Sequence, residues 1–175
     1  MPVTRLNHAV LYVRDIDRTR KFYEQVLGFE TITFMPGQGA FFRAPGSTND
    51  HDLGAFQIGS GAGPSDAGRS TVGLYHLAWE VDTLAELARL RDVLTAHDAL
   101  VGASDHGTTK SLYAHDPDGL EFEVCWILPA SVLTPELIED ARASSRPRPL
   151  DLDAEMARFG ADTPGGIGVS IPHPA

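Results

Sequence analysis

Two histidines stand at matching places in the chain. Leu6-Asn7-His8-Ala9-Val10-Leu11-Tyr12-Val13 aligns without a gap on Leu74-Tyr75-His76-Leu77-Ala78-Trp79-Glu80-Val81, and the histidine falls third in both segments. A lone histidine on an apolar strand is more often a hydrogen-bonded core residue than a ligand. Two at equivalent positions of a repeat point elsewhere. If the two copies pack about a pseudo-twofold axis, equivalent positions converge on one point, and two neutral imidazoles there make half of a divalent-metal site. The natural third member is a carboxylate on an inward strand face. Glu121 and Glu123 alternate with Phe122 and Val124, so both project from the face opposite those apolar residues; both also read as solvated edge residues. Two imidazoles and one carboxylate leave open positions on an octahedral ion, which suits a centre that binds substrate rather than a closed structural site.

The elements that must position these side chains repeat as well. Each eight-residue segment is rich in β-branched and aromatic residues and reads as a buried strand. A helix follows the first over about 17–27, with Phe22, Tyr23, Val26 and Leu27 on one face and Gly28 as its stop. Another follows the second over about 83–97, with Leu84, Leu87, Leu90 and Leu94 as its buried stripe. Further strands are expected at 29–34, 40–44 and 52–58 in the first half, and at 99–104, 111–115 and 120–126 in the second. Both halves therefore read βαβββ, an α+β fold, joined by the Gly/Ser-rich stretch 59–65. Asp116-Pro117-Asp118-Gly119 reads as a tight turn before the last strand. The modules, about 4–60 and 70–128, form one domain over 1–128. A helical extension and tail fill 129–175: a helix from Thr134-Pro135-Glu136 to about Ala143, a short one over 153–159, and a breaker-rich arm or frayed tail from Thr163.

Composition narrows the classes. The 175 residues carry 14 Lys and Arg against 24 Asp and Glu, a net charge of −10 that repels phosphate, so no nucleic-acid partner is expected. No apolar run approaches the roughly 20 residues that span a bilayer, and Met1-Pro2-Val3-Thr4-Arg5 lacks the apolar core of a signal peptide, so the expectation is a cytoplasmic protein with no membrane partner. The single cysteine, Cys125, excludes an intrachain disulfide and a Cys-rich zinc site, and reads as a buried, inert thiol.

With these residues in hand, the chain resembles the vicinal oxygen chelate superfamily, the glyoxalase/bleomycin-resistance/extradiol dioxygenase group. The carrying motifs are residues 6–15, Phe22-Tyr23, Leu27-Gly28-Phe29, Gly73 to Trp79, and Asp116 to Glu123, in order over about 4–128. The resemblance implies two βαβββ modules around a metal-centred cleft, with ligands at His8, His76 and Glu123; Glu121 is not at the ligand position. It further implies a homodimer. Asp105-His106-Gly107 and Lys110-Ser111-Leu112-Tyr113 look like the catalytic half of single-domain catechol 2,3-dioxygenase-like members. In that group a tyrosine ten residues before the ligand glutamate binds the substrate oxygen, which maps onto Tyr113, and a nearby histidine acts as acid/base, which maps onto His106. Asp50-His51-Asp52-Leu53 also resembles that group's HHDLAL strand, with Asp50 for the first histidine; His51 either lines the cleft or faces solvent. The implied chemistry is extradiol ring cleavage of a small catechol-type aromatic by dioxygen at Fe(II), with Mn, Zn or Ni as other divalent occupants.

Rival readings within the resemblance rest on other residues. Glyoxalase or lyase chemistry calls for a fourth ligand, generally glutamate, on the last strand of the first module. Only Gln57 is polar there. Thiol transfer to a phosphonate calls for basic residues, and Lys110 is alone in its segment. A bleomycin-resistance-like binding protein would sequester a ligand without catalysis, but such proteins usually lack the ligand set that this chain retains. Phe41, Phe42, Phe56, Trp79 and Trp126 are available for an aromatic pocket or, for most of them, for the core.

Overall fold

The computed structural model describes residues 2–67, 70–143 and 146–166. Its elements run β1 (Ala9–Val13), α1 (Ile16–Val26), β2 (Glu30–Met35), β3 (Gly39–Arg43), β4 (Leu53–Gln57), then β5 (Leu77–Glu80), α2 (Leu84–Ala96), β6 (Leu100–Asp105), β7 (Thr109–His115) and β8 (Glu121–Ile127). A 3-10 turn (Ala130–Val132), α3 (Pro135–Ala143) and α4 (Leu152–Phe159) complete the described chain. The sheets are ordered β1-β4-β3-β2 and β5-β8-β7-β6, one topology used twice. In each, the first strand pairs in parallel with the last and the remaining pairs are antiparallel. The second strand of each module carries a register shift, between Thr31 and Thr33 and between Leu100 and Gly102. The expected α+β fold of two βαβββ modules is present.

By their contacts the residues form two compact units. One holds residues 1–66 with the Asp116–Leu120 turn; the other holds 67–115 and 121–175. In the first, Leu11 and Val13 alternate inward with Ala40, Phe42, Leu53 and Ala55, and α1 covers them with Ile16, Tyr23 and Val26. Asp15 caps α1 by accepting from Arg18 N–H at 3.0 Å. In the second, the predicted Leu84, Leu87, Leu90 and Leu94 stripe of α2 is buried with Leu112, Phe122, Val124 and Trp126. Thr83 caps that helix by accepting from Glu86 N–H at 3.1 Å.

The strands that carry the histidines differ from expectation. They begin at Ala9 and Leu77, so His8 and His76 each occupy the residue just before a strand. Nor are these strands buried on both faces: Val10 and Tyr12, on the His8 side of β1, are exposed. Each sheet thus has a helix-covered face and an open one, and the histidines adjoin the open one. The extension is tied in more firmly than a frayed tail. Gly165 and Gly166 donate N–H to Asp82 and Ile127 carbonyls at 2.7 and 2.8 Å, and Trp126 Nε1 donates to Thr163 O at 3.2 Å. A Cβ on Gly165 would come within 3.0 Å of the Trp126 ring, so any other residue there would push that ring aside by a few tenths of an ångström. The rest of that tail, 167–175, lies outside the described residues. Among the described residues no helix is long and apolar enough to cross a membrane.

The expected turn at 116–119 forms, with Gly119 N–H donating to Asp116 O at 2.9 Å and Gly119 at φ +84°. Its Asp118 does more than turn the chain. The side chain, 6 % exposed, accepts from Arg14 N–H at 2.8 Å and pairs with the Arg14 and Arg18 guanidiniums. Asp118→Ala strands three donors and is expected to cost about 1.5–3 kcal/mol, the range for a hydrogen bond to a charged group; urea unfolding beside the wild type measures it. A midpoint within error of wild type would remove Asp118 from the fold's supports.

Candidate metal and substrate site

The open face of the second sheet collects the chemistry. Strand register lays it out in rungs: His115 opposite Glu121, Tyr113 opposite Glu123, and Ser111 opposite Cys125, with Ala78 and Glu80 of β5 flanking Glu123 and Cys125. His76 closes the lower corner. Its Nε2 lies 3.1 Å from Glu123 Oε2, and its ring centroid 5.8 Å from that of Tyr113. The Nδ1 of the same ring is buried without a hydrogen-bond partner. A half-buried imidazole aimed at a carboxylate, with few other polar contacts, has the donor chemistry of a divalent-cation ligand pair.

Tyr113 and His106 also come together. Their Oη and Nε2 atoms are 2.8 Å apart. Burial pushes the Tyr113 phenol up to about 12, and the Glu123 carboxylate adds to the shift. The phenol therefore keeps its proton at neutral pH and donates it to His106 Nε2 whenever that nitrogen is free. Cys125 shares the face but is buried; burial first, then Glu123 and Glu80, push its thiol up to about 12, which leaves it protonated and inert as expected.

His8 belongs to the first unit. Its Nδ1 is 2.8 Å from Asn7 Oδ1, and its ring centroid is 4.7 Å from that of His51. His51 is 21 % exposed and its ring also packs on Phe41 at 4.8 Å, so it does not simply face solvent. Its Nδ1 lies 2.9 Å from Asp50 Oδ2. Burial opposes charge on Asp52, but hydrogen bonds from Ala44 N–H, Ser47 and Asn49 outweigh this and hold the carboxyl below its ordinary value, clasping the 44–52 loop. Among the described residues, no group of three or more His, Cys, Asp or Glu is gathered into a metal cage.

Two residues weighed for rival chemistries are engaged elsewhere. Gln57 Oε1 accepts from Ile16 N–H at 3.0 Å, at the first turn of α1. Lys110 faces the core: 1 % exposed, its Nζ lies 2.5 Å from Asp105 Oδ1 and 2.8 Å from Glu155 Oε2, fastening α4 to β7. Of the aromatics, Phe42 and Trp126 are fully buried core, while Phe41 and Phe56 are only partly buried, their rings edge to face at 5.8 Å. What sequence spacing misses is the rung partner of Glu121, His115, and the contact of His51 with His8; strand pairing supplies the first and loop closure the second.

Comparison with known proteins bears on the same residues. The model of the Glyoxalase/Bleomycin resistance protein/Dioxygenase superfamily matches residues 5–124. A Catechol-2,3-dioxygenase of Bacillus subtilis is 30% identical over 125 residues, 69% of this chain; the chain spans only 41% of that relative. Virulence protein STM3117 of Salmonella typhimurium is 32% identical over 132 residues, covering 71% of this chain and 85% of the relative. Among solved structures, a glyoxylase/bleomycin resistance protein/dioxygenase domain from Frankia sp. EAN1pec superposes with a TM-score of 0.59 at 20% identity, over 71% of this chain and 92% of that one.

The Lys110 cluster yields a test. Lys110→Ala leaves Asp105 and Glu155 buried with their shared cation gone. The expected loss is about 3 kcal/mol, the low end for breaking a buried ion pair because both carboxylates keep slight exposure. Chemical denaturation reads it, and an unchanged midpoint would mean that the cluster does not hold α4.

Proposed function

Because the chain belongs to the glyoxalase/bleomycin resistance/dioxygenase superfamily, a family mostly of metalloenzymes, we propose that it is a divalent-metal enzyme that cleaves the ring of a catechol-type aromatic with dioxygen. The observation that carries this reading is the His76–Glu123 pair at 3.1 Å beside the hydrogen-bonded Tyr113–His106 pair on one open sheet face. His76 and Glu123 would hold the ion with His8, which precedes β1 as His76 precedes β5. Fe(II) is the metal of the proposal, Mn, Zn or Ni being other divalent occupants. When bound, ferrous iron supplies Lewis acidity toward a catechol hydroxyl and the electronic coupling that lets dioxygen react with the ring. Both oxygen atoms enter the ring-opened product, so no external reductant is needed.

The chain's own side chains supply the rest. With substrate bound, the Tyr113 hydroxyl, protonated at neutral pH, turns its one proton from His106 to a substrate oxygen and orients it. His106 Nε2, already 2.8 Å from that hydroxyl, takes up or returns a proton at the same oxygen. His51, against His8, offers a second imidazole on the first module. Phe41 and Phe56 offer apolar surface to an aromatic ring. The engagement of Gln57 with Ile16 and of Lys110 with Asp105 and Glu155 disfavours the four-ligand lyase and the phosphonate-binding alternatives. A second copy of this chain is the proposed protein partner, and exposed Val10, Tyr12 and Leu74 support burial against it.

Oxygen uptake by anaerobically purified, ferrous-loaded protein across substituted catechols is the direct test. Stoichiometric consumption with a yellow ring-opened product is expected; iron-loaded protein that consumes none would replace ring cleavage with lyase-type chemistry or ligand binding. His76→Ala is expected to abolish metal retention, measured by metal analysis after gel filtration. Tyr113→Phe should retain metal and lose at least about 100-fold in turnover, the scale of a lost proton donor. Full occupancy in His76→Ala would overturn the ligand assignment.

A further inference from the structure

Glu121 is the carboxylate that the ligand assignment leaves unused. It shares the open face of β8 with Glu123 and is 20 % exposed. Leu77 pairs with Phe122, so one step earlier the parallel pairing brings His76 beside Glu121; on the other side, β7 sets His115 directly opposite it. The carboxylate therefore lies between two imidazoles, with Oε1 3.7 Å from His76 Nδ1 and Oε2 3.8 Å from His115 Nε2. Neither distance is a hydrogen bond. Yet His76 Nδ1 is buried and unpartnered, while Nε2 of the same ring faces Glu123. A buried ring nitrogen in that state is costly, and the nearby carboxylate is the acceptor placed to relieve it.

We propose that Glu121 is the positioning residue for His76, its carboxylate accepting the Nδ1 proton so that Nε2 is held free for the cation. The inference rests on the metal-site reading of His76 and Glu123. A neutral imidazole has one proton, and ligation through Nε2 puts it on Nδ1, where it needs an acceptor. Small side-chain rotations bring Glu121 Oε1 into range. His115, 3.8 Å from the other oxygen, limits how far the carboxylate can swing toward solvent. Glu121 thus fixes both tautomer and ring plane without touching the ion.

Zn(II) alone is the probe. Its affinity is measured by competition with a chromophoric chelator in the full chain, and histidine tautomers by long-range nitrogen–proton NMR of the zinc-loaded protein. Glu121→Ala should weaken zinc binding about 10–100-fold, the usual effect of removing an outer-shell partner. Glu121→Gln, whose amide oxygen still accepts, should stay within about threefold of wild type. Wild-type His76 should show its proton on Nδ1. Unchanged zinc affinity in Glu121→Ala overturns the positioning role alone, and so does a His76 proton on Nε2. The NMR arm needs only wild type, so it decides even if Glu121→Ala does not fold. A wild-type chain that binds no zinc overturns the metal reading itself, and a Glu123→Gln variant as tight as wild type overturns the ligand set.

Discussion

The parallel pairing of the first and last strands of each module is the constraint on which the site depends. A parallel pair cannot be closed by a hairpin, so the chain must cross over through a helix and two further strands before the last strand lies down beside the first. That crossover covers one face of each sheet and leaves the other open. In the second module it brings the residue before β5 beside the start of β8, although His76 and Glu123 are far apart in sequence. Remove the β5–β8 pairing and the His76–Glu123 pair has no reason to exist.

Strand alternation then sorts the chemistry with one-residue resolution. On β7, Tyr113 and Ser111 face the open side with Glu123 and Cys125, whereas Lys110, Leu112 and Ala114 face α2 and α4. Lys110 and Ser111 are neighbours in sequence, yet one is a core cation locked between carboxylates and the other lies on the rung above Tyr113. Burying that cation tolerates no half measure: both its partners sit within ion-pair distance, and the aromatic ring of Phe159 lies 5.8 Å away. The extension beyond β8 is thereby part of the second unit's core rather than an appendage.

Much of this was legible in the residues. The duplicated histidine segments, the leucine stripe of α2 and the Asp116–Gly119 turn each express a local rule, and local rules survive folding. Boundaries shifted where long-range pairing set them. Leu6 and Leu74 look like strand residues by composition, but β1 starts only where Asp52 and Leu53 are available to pair, and β5 only opposite Phe122. The apolar Val10 and Tyr12 read as core because spacing alone does not tell a covered face from an open one.

The sequence by itself determined the repeat, the order of elements and the types of side chain that can bind a cation, since these follow from periodicity and composition over a few residues. Partner choice was decided by the tertiary structure: Gln57 satisfies the start of α1, Lys110 neutralises Asp105 and Glu155, Asp118 gathers Arg14 and Arg18, and His51 rests against His8. All but the Lys110–Asp105 pair join segments remote in the chain, and several versatile polar side chains compete for each role. Which one wins depends on which backbone groups and charges folding buries beside it, and that is a property of the packed chain rather than of local spacing.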